Sequence, residues 1–580
     1  MPFDTITMCA TLAECAPLRS GRVTKIYQPD RFSVLLRCYT AVGNLKLLLS
    51  AHPVDGRLQL SERTYANPAK PPLFCMVLRK HLEGAKITAF RQPPGERVAE
   101  IDFAARNEIG EATNRRLVLE VMGKHSNLIL LDPDTNLIID AARRYTHNVS
   151  RYREVLPGSV YLPPPRNDKP YWQDLNEEEF ALRLLNGDLT LAPAKLLQNE
   201  FSGLSPYLCR EVTIRAGIED TTAEELGEYE ISRLYAALKQ LGEIAANENF
   251  CPVLLGKEPD WRDYYALPPA NGAPHAEFPS MSKALDAFFD ARQERQEFDA
   301  AKKRLQKLLT REQQCLRKKI KLEQTDYANA SQAEQYKNAG DLLSAYLYLV
   351  QPGQTEIELP DFYQPERMLK IKLAPELSPS ENVKRCFHHY NKAKNTERQI
   401  RLQLEANCNE LDYVESLLIA LDETAKLSEI TSIEQEMQAA GYLKRPEGRS
   451  KPKDSATSLE PKRYQTSDGF LVLLGRNNRQ NDRLTCKLAE KNDLWFHTQK
   501  IPGSHVILRA EAGREFSDQA ISEAAALAAR HSRAKEADKV PVDYTAAANV
   551  KKPNGAKPGM VIYTGQQTVY VTPRELTPAE

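Results

Sequence analysis

Residues 400–421, IRLQLEANCNELDYVESLLIAL, decide how the middle of this chain folds. Apolar side chains recur there at alternating spacings of four and three residues, and one polar residue, Asn407, keeps the same register. This heptad pattern predicts a coiled-coil helix in which a buried Asn fixes the alignment of the two strands. The predicted seam residues are Ile400, Leu404, Leu411, Val414, Leu418 and Leu421.

A charged stretch that begins around Arg292 is predicted to form the other strand of the coil. Its seam is less regular, because Glu312 and Lys319 interrupt the apolar spacing. The two helices are predicted to pair as an antiparallel intramolecular coiled coil. The predicted seam of this helix is Phe298, Ala301, Leu305, Leu308, Cys315 and Leu322.

The residues between the two helices are predicted to form a small domain at the tip of the coil. Residues 356–359 and 369–373 have the pattern of a hairpin. The SPSE sequence that follows has the pattern of a helix start, with Ser378 as the N-cap and Glu381 closing a capping box.

The N-terminal part of the chain alternates short β-type runs with turn residues, and the predicted strand runs are 34–37, 45–49, 98–103, 117–121 and 127–131. A basic amphipathic helix, residues 73–82, is predicted among these strands, and a proline-rich stretch at 156–165 marks the end of an α+β domain. The pattern then becomes helical as far as residue 290. There a GLSP turn separates helices at 192–201 and 207–216, which predicts a helix-hairpin-helix.

A second α+β module is predicted after a linker rich in Lys, Pro and Ser. It contains a strand at 470–474, a helix at 517–530 capped by Ser517, and a closing hairpin formed by 560–563 and 568–571. The whole chain is therefore expected to be multidomain α+β. The predicted domains are 1–170, 171–290, 291–440 and 463–580, with the linker at 441–462.

Composition excludes several classes of protein. A chain of 580 residues with 42% hydrophobic and 27% charged residues is too long for a single core. Its apolar runs fall short of the roughly 20 residues that span a bilayer, and its first residues lack a secretory leader. Ten Cys without any CxxC fit neither a zinc ribbon nor a disulfide scaffold. We therefore expect a cytoplasmic protein.

The charge of the chain is segregated although its sum is zero. Residues 1–170 carry +7, residues 171–290 carry −12 and residues 463–580 carry +4. Basic surfaces of this kind attract polyanions, whatever the overall isoelectric point. The first coil helix, which includes Lys318 and Lys319, is also basic, although charge runs on coils are usually solvated.

No catalytic motif with a specific spacing is present: GxxxxGK[ST], GxGxxG, GxSxG and HExxH are all missing. His497 and His505 would need two further ligands to hold a metal, so neither a metal nor a cofactor is expected. A binding protein is the simplest interpretation, with His388 and His389 as surface imidazoles.

Two basic stretches are candidates for nucleic-acid contact. RRYTHNVSRYR interleaves Arg143, Arg144 and Arg151 with rings, a composition suited to phosphates and unstacked bases. KKPNGAKPG places three lysines on a Gly/Pro loop that can approach an RNA backbone closely. A merely solvated basic loop is the alternative in each case. The lysines are Lys551, Lys552 and Lys557.

A nuclease-like alternative comes from Pro2. A β-domain followed by a helical domain looks like the arrangement of formamidopyrimidine-DNA glycosylases, whose nucleophile is an N-terminal proline amine. In this chain Phe3 replaces the acidic residue that follows in those enzymes, and no four-Cys finger is present. DNA glycosylase/AP lyase activity is therefore a minor alternative.

Four motifs in order resemble the NFACT family over essentially the whole chain. LEVMGKHSNLILLD, from 119, is similar to the family signature of the N-terminal domain, and LPGSVYLPPP is similar to the segment that closes it. GDLLSAYL, SPSEN and FHHYNKAKN resemble the middle coiled-coil domain. DLWFHTQKIPGSHVIL and KKPNGAKPGMV resemble the C-terminal NFACT-R domain.

The resemblance implies a ribosome quality-control factor rather than an enzyme. Such proteins bind a large ribosomal subunit that still holds peptidyl-tRNA, recruit charged tRNA, and direct template-free tailing of the nascent chain, with alanine in bacteria. Peptidyl transfer is left to the ribosome. The implied partners are rRNA, ribosomal proteins and tRNA, with no membrane and with the factor acting as a monomer on the ribosome.

The family's Asp-Arg pair for tRNA recruitment aligns with Glu96 and Arg97, so the longer Glu replaces Asp here. Thr5 replaces the usual Gly after the N-terminal Phe-Asp. The resemblance implies tRNA-binding residues Glu96, Arg97, Lys124, His125, Arg143, Arg144 and Arg151. Implied RNA or ribosome contacts are Lys318, Lys319, His388, His389, Lys392, Trp495, His497, His505, Lys551, Lys552 and Lys557.

An older name of the family suggests a different class of function, a surface adhesin that binds fibronectin. The missing secretion and anchoring signals argue against it, and cell fractionation separates the two hypotheses.

Overall fold

The computed structural model describes residues 3–107, 109–148, 152–165, 168–218, 222–331, 333–361, 368–444 and 460–579. The chain divides into two compact units, Met1–Arg295 and Gln296–Glu580. The finer domain boundaries stay predictions. Pro2 and Arg151, two residues named above, lie outside the described residues.

The N-terminal unit is built on an antiparallel sheet whose described strands follow the order β4-β3-β2-β1-β5-β6-β7-β8-β9. The predicted strand runs at 34–37, 45–49, 98–103 and 127–131 all lie within it. The strands are β1 (Arg22–Tyr27), β2 (Ser33–Thr40), β3 (Gly43–Ser50), β4 (Arg57–Leu60), β5 (Lys86–Arg91), β6 (Val98–Arg106), β7 (Ala112–Glu120), β8 (Asn127–Asp132) and β9 (Leu137–Ala141).

Two helices, α1 (Thr5–Ala13) and α2 (Leu73–Leu82), accompany this sheet, and α2 confirms its predicted bounds. Leu78 and Leu82 of α2 are fully buried in the same core as alternate residues of β2 and β3. The charged end of α2 places Arg79, Lys80 and His81 in the last turn, where they complement the helix dipole.

Helices predicted on either side of the GLSP turn are present, and their core is continuous with that of the sheet. The segment was predicted to be helical as far as residue 290, and this is wrong in part. Residues 253–277 form a small antiparallel sheet with strand order β11-β10-β12. The elements are α3 (Glu177–Leu185), α4 (Pro193–Glu200), α5 (Pro206–Arg215), α6 (Glu228–Ala246), β10 (Val253–Lys257), β11 (Asp260–Tyr265) and β12 (His275–Glu277).

The long helix α7 (Met281–Ala330) begins earlier than the predicted Arg292. The carboxylate of Glu14 accepts hydrogen bonds from the backbone nitrogens of Met281 and Ser282, the latter at 2.9 Å. These nitrogens are orphan donors of the first helical turn. A side chain distant in sequence therefore caps α7, which the local pattern could not reveal.

The tip region of the C-terminal unit follows the prediction closely. Helix α8 (Ala333–Ala345) precedes the hairpin of β13 (Glu356–Pro360) and β14 (Met368–Lys372), and α9 (Pro379–Asp422) follows. The predicted capping box is confirmed: the Ser378 nitrogen donates to Glu381 Oε2 at 2.8 Å, and Ser378 Oγ accepts from the Glu381 nitrogen at 3.4 Å.

Helices α7 and α9 run antiparallel within the C-terminal unit, as predicted. Lys302 Nζ donates to the Asp422 carbonyl at 2.8 Å, whereas Tyr327 Oη, farther along α7, donates to Glu397 at 3.4 Å. Leu305 and Leu309 pack in one cluster with residues of α9 that include Val414, Leu417 and Leu421.

The predicted seam of α7 is correct only in its first half. Leu308, Cys315 and Leu322 are exposed, whereas Leu309 and Ile320 are buried. The observed seam advances by one residue after Leu305, because a straight helix of 3.6 residues per turn drifts away from a strict heptad.

The C-terminal module forms an antiparallel sheet whose described strands follow the order β22-β19-β17-β18-β16-β15-β23. The predicted Ser517 cap is confirmed, since Ser517 Oγ accepts from the Ala520 nitrogen at 3.0 Å. The elements are α10 (Leu427–Ala439), β15 (Lys462–Gln465), β16 (Leu471–Leu474), α11 (Asn478–Arg483), β17 (Leu494–Thr498), β18 (Val506–Leu508), α12 (Asp518–Arg530), β19 (Val540–Ala546), β20 (Val550–Lys551), β21 (Ile562–Tyr563), β22 (Gln567–Val571) and β23 (Thr577–Pro578).

The predicted closing hairpin of this module is wrong. Strand β21 pairs with β20, and β22 pairs with β19 in the main sheet. Both segments are strands, but each finds its partner upstream across a loop. Among the helices of the described residues, none is long and apolar enough to cross a membrane.

Candidate nucleic-acid interface

A pocket of about 620 Å³ lies in the N-terminal unit where two turns meet. One turn, residues 92–97, joins β5 to β6, and the other, residues 201–205, joins α4 to α5. Glu96 and Arg97, the predicted tRNA-recruitment pair, both line this pocket. Further lining residues include Met122, Lys169, Tyr171 and Ser202.

Hydrogen bonds from α1 hold both turns in place. Gln92 Nε2 donates to the Thr5 carbonyl at 3.1 Å and to the Glu96 carbonyl at 3.0 Å. Thr5 Oγ1 donates to the Gly203 carbonyl at 2.9 Å. A Gly in place of Thr5 would lack this last bond, so the Thr5 side chain ties the second turn to α1.

The two turns approach so closely that each needs a glycine. Gly95 and Gly203 both have positive φ, +71° and +81°. A Cβ on Gly203 would lie 2.7 Å from the Tyr171 ring and 3.1 Å from the Gly95 Cα, and a Cβ on Gly95 would lie 2.8 Å from the same ring. Any larger residue would therefore push the turns apart.

Asp4 forms part of the pocket wall and fixes the starts of two helices. Its Oδ1 accepts from the Thr7 nitrogen at 2.9 Å as the N-cap of α1, and its Oδ2 accepts from Ser205 Oγ at 2.9 Å. Ser205 in turn caps α5 through the Leu208 nitrogen at 3.1 Å. Burial raises the pKa of the Asp4 carboxyl, although these hydrogen bonds oppose the shift.

Arg97 lies at the start of β6, half-buried, and its carbonyl accepts from the Val121 nitrogen at 2.9 Å. Within the described ranges its guanidinium has no carboxylate partner. Arg116 of the same sheet differs, because it is bound to Asp102 at 2.6 Å. The pocket therefore holds a cation whose charge is available to an external anion such as a phosphate.

Glu120, the last residue of β7 and part of the signature motif, forms a buried ion pair with Arg153. Glu120 is fully buried and accepts two parallel hydrogen bonds from Arg153, at 2.7 and 2.5 Å, and a third from Tyr161 Oη at 3.0 Å. Burial and the Glu120 charge raise the pKa of Tyr161. Arg153 belongs to the basic stretch proposed for RNA contact, but its side chain is part of the core.

Lys124, His125 and Arg143, three of the residues predicted to bind tRNA, lie near one another at the surface, and their role stays a prediction. Lys124 and His125 are exposed in the short turn Gly123–His125. Arg143 Nη1 donates to the Lys124 carbonyl at 2.6 Å, and the Asn127 side chain bonds the backbone of Arg143 at 3.0 and 2.9 Å. The guanidinium is thus held in one position.

Arg144, the adjacent residue predicted to bind tRNA, already has an acid partner in its own unit. It forms two hydrogen bonds with the buried Asp140 carboxylate, at 2.7 and 2.9 Å, so its charge is already neutralised. The sequence could not separate Arg143 from Arg144, because the two residues are adjacent and equally basic. Adjacent side chains at the end of a strand point to opposite sides, so only one of the two arginines lies next to an acid.

Sequence analysis missed three residues that adjoin Arg143. The guanidinium carbons of Arg143 and Arg31 lie 5.9 and 5.8 Å from the centroid of the Phe32 ring, and His52 packs edge-on against that ring at 5.5 Å. A ring beside a cation in the β1–β2 turn, PDRFS, was the available signal, but the same interleaving was noted only in RRYTHNVSRYR.

The candidate contacts on the coil behave differently from one another. Lys318 is exposed, whereas Lys319 Nζ donates to Asn407 Oδ1 at 3.2 Å across the coil. Lys319 is exposed as well, so this bond ties it to the coil while its predicted RNA role stays a prediction. His388, His389 and Lys392 are exposed on α9, and His389 lies 5.5 Å from the ring of Tyr336.

Two predicted contacts of the C-terminal module are buried and cannot reach an external partner in this conformation. Trp495 and His505 are at most 1% exposed, and His505 Nδ1 is 2.7 Å from Thr485 Oγ1. Burial lowers the pKa of the half-buried His497 to about 4 and that of His505 well below its usual range. All three side chains pack against one another in the fold.

The lysines of the KKPNGAKPG loop are also mostly engaged. Lys552 forms an ion pair with Asp482, and Lys557 pairs with Glu410 of α9 and lies 4.5 Å from the centroid of the Tyr413 ring. Lys551 is exposed and remains a candidate contact. Two of the three predicted lysines therefore attach the loop to its own unit, and RNA contact by all three stays a prediction.

Two family models match nearly the whole length of this chain. Residues 4–456 match the model for NFACT N-terminal and middle domains, and residues 461–570 match the model for the NFACT protein RNA binding domain.

Curated relatives are similar over nearly the full chain. The Rqc2 homolog RqcH of Bacillus subtilis (strain 168) is 36% identical over 96% of this chain and 95% of its own length. The Rqc2 homolog RqcH of Streptococcus suis (strain 05ZYH33) is 35% identical over 99% of each chain. The solved N-terminal part of the Streptococcus suis fibronectin/fibrinogen-binding protein is 33% identical, with a TM-score of 0.42, and covers 50% of this chain and 99% of that one. With two domain models matched in order, this chain belongs to the NFACT family.

Proposed function

We propose that this protein is a ribosome quality-control factor that recruits charged tRNA to stalled large ribosomal subunits. Membership of the NFACT family and the near-full-length similarity to RqcH proteins support a role in ribosome quality control. In this proposal the subunit still carries peptidyl-tRNA, and the factor directs template-free tailing of the nascent chain with residues from alanyl-tRNA. It acts in the cytoplasm as a monomer on the ribosome.

The observation that carries the proposal is Arg97. It lines a pocket at the junction of two glycine turns and has no carboxylate partner in the part of the chain that the structure describes. Lys124 and Arg143 are also without an acid partner there; Lys124 follows Met122 of the pocket wall by two residues, and Arg143 Nη1 donates to the Lys124 carbonyl. Such groups suit the phosphates and base edges of RNA.

The chain is proposed to position its substrates and to supply no nucleophile. Peptidyl transfer is assigned to the ribosome. The factor then needs to bind its RNA partners and to be long enough to extend between their binding sites. Helix α9, with 44 residues, is about 66 Å long at 1.5 Å per residue, which suits an arm for the large subunit.

The test replaces Arg97 with Ala and purifies the tagged protein from cells. We expect loss of co-purified tRNA with large-subunit association retained. Arg106→Ala is the matched control, because Arg106 is an exposed arginine at the opposite end of β6, roughly 30 Å away for nine residues of strand. Equal tRNA recovery from wild type, Arg97→Ala and Arg106→Ala would refute the assignment, and sequencing the bound RNA identifies the tRNA selected.

A further inference from the structure

We propose that the β1–β2 turn carries a second RNA subsite, in which an unstacked nucleotide stacks on Phe32 while Arg31, Lys124 and Arg143 bind its phosphates. The proposal rests on the proposed function, because it assigns a further contact to the same RNA. Its evidence is separate from the pocket that holds Arg97.

Two hydrogen bonds hold the backbone of Phe32, and His52 packs edge-on against its ring. The Phe32 nitrogen donates to Asp30 Oδ1 at 2.7 Å, and the Phe32 carbonyl accepts from the Ala51 nitrogen at 2.9 Å. The ring itself is half-buried at the surface. A ring held in this way loses little conformational entropy when a base stacks on it.

The three cations near this ring form no ion pair in the described part of the chain. Arg31, Lys124 and Arg143 have no carboxylate partner among the residues with described positions, whereas Arg115 and Arg144 of the same unit are ion-paired. Arg143 is already oriented by the Lys124 carbonyl and by Asn127. Preformed cations beside an aromatic ring favour a ligand that combines phosphate with a flat base.

His52 adds a directed hydrogen-bond donor. Its Nδ1 accepts from the backbone nitrogens of Val54 at 3.3 Å and Asp55 at 3.1 Å. The proton of the neutral imidazole therefore resides on Nε2, because an accepting Nδ1 cannot carry it. The side chain is 40% exposed, so Nε2 can donate to a base edge or a 2′-hydroxyl.

The subsite is close to the Arg97 pocket, because one short stretch of chain contributes a residue to each of them. Met122 lines the pocket, and Lys124 follows two residues later, at most about 7 Å away along the backbone. Phosphates along one RNA strand are spaced on a similar scale, so one bound segment can engage both places. An acidic peptide would use the cations alone and would leave Phe32 and the His52 donor without a role.

The test measures filter binding of bulk tRNA and of a short single-stranded oligoribonucleotide to the full-length protein. Phe32→Leu is expected to weaken binding of both RNAs by roughly 5- to 100-fold, the range reported for loss of one stacked base. Phe32→Tyr, which keeps a ring, is expected to retain wild-type affinity. Tyr39→Leu is the matched control, since Tyr39 is an exposed ring on the adjoining strand β2.

The outcomes separate this proposal from the function on which it rests. Wild-type affinity of Phe32→Leu for both RNAs overturns the subsite alone. If the wild type ignores tRNA but binds the oligoribonucleotide through Phe32, the proposed function fails and the subsite stands. Absence of binding to both RNAs overturns both, and equal losses from Tyr39→Leu and Phe32→Leu also overturn the subsite. Tight binding of poly-glutamate that is insensitive to Phe32→Leu, with no RNA bound, assigns the patch to acidic peptides instead.

Discussion

The side-chain nitrogen of Asn407 donates to both carboxylate oxygens of Glu323, at 2.8 Å each, inside the coiled coil. Lys319 donates to the oxygen of the same Asn at 3.2 Å. Every polar atom of the Asn407 amide group that faces α7 thus has a partner, and sliding α9 by one heptad would break all three bonds. This relationship sets the register of the coil.

Replacing Asn407 with Leu should destabilise the coil by about 1–3 kcal/mol, because Glu323 would keep a buried carboxylate without its donors. The double variant Asn407→Leu/Glu323→Leu should lose less than Asn407→Leu alone, since no unpaired carboxylate remains. Urea unfolding measures both free energies. A double variant less stable than the single one would show that the pair contributes net stability instead.

Glu120→Gln should cost about 3–5 kcal/mol, because it leaves the buried Arg153 guanidinium without its charged partner. The measurement is the free energy of unfolding in urea. Asp140→Asn is the control: it breaks an ion pair whose arginine, Arg144, is 42% exposed. We expect a loss below about 1 kcal/mol there, as for exposed pairs. Equal losses would contradict the structural role assigned to Arg153.

Binding of tRNA should weaken steeply with salt. Each phosphate contact contributes a slope of roughly −0.7 to −0.9 in log affinity against log salt, so Arg97→Ala should reduce the slope by about one contact. Filter binding between 50 and 300 mM KCl, about the range over which such slopes are measured, gives the comparison. An affinity indifferent to ionic strength would contradict the phosphate-binding surface.

Acid should destabilise the C-terminal module through His497. Its pKa is about 4 in the folded chain and about 6.5 when unfolded, so the unfolded state takes up a proton first as the pH falls. The stabilisation is complete above pH 6.5 and is lost between 6.5 and 4, about 2–3 kcal/mol in all. His497→Gln should flatten this part of the stability profile, whereas His389→Gln at the exposed tip should not. Parallel profiles for wild type and His497→Gln would show that another group dominates.

Cell fractionation distinguishes the ribosomal role from a fibronectin-binding adhesin. We expect the chain to sediment with large ribosomal subunits in lysates and to be inaccessible to protease added to intact cells. Release from the subunit fraction by high salt is the internal control. Surface-exposed protein with no ribosomal fraction would favour the adhesin.

Features set by neighbouring residues could be predicted from the sequence. The α2 bounds, the Ser378 capping box and the Ser517 cap depend on local patterns. The heptad spacing at 400–421 predicted the antiparallel coiled coil. The start of α7 was missed because its cap, Glu14, is far away in sequence. Strands β10–β12 were missed because they are short and interrupt a helical pattern.

The sequence could predict a basic surface, but not which of its cations have a carboxylate partner. The family motif led to Arg97 and Lys124, whereas only the fold shows that Arg144 is neutralised by Asp140, that Arg153 is buried on Glu120, and that Phe32 adjoins Arg143. Cations are alike in sequence, and the presence or absence of a nearby carboxylate distinguishes them.

The contact of Gly95 with Gly203 across the Tyr171 ring has a consequence for transplantation of the site. A loop carrying Glu96 and Arg97 grafted onto another β-sheet would lack the opposing turn and ring, so its backbone would lose the surroundings that Gly95 fits. The 92–97 turn and the α4–α5 segment should therefore be exchanged or redesigned together, and hybrids between homologues should join outside residues 92–205.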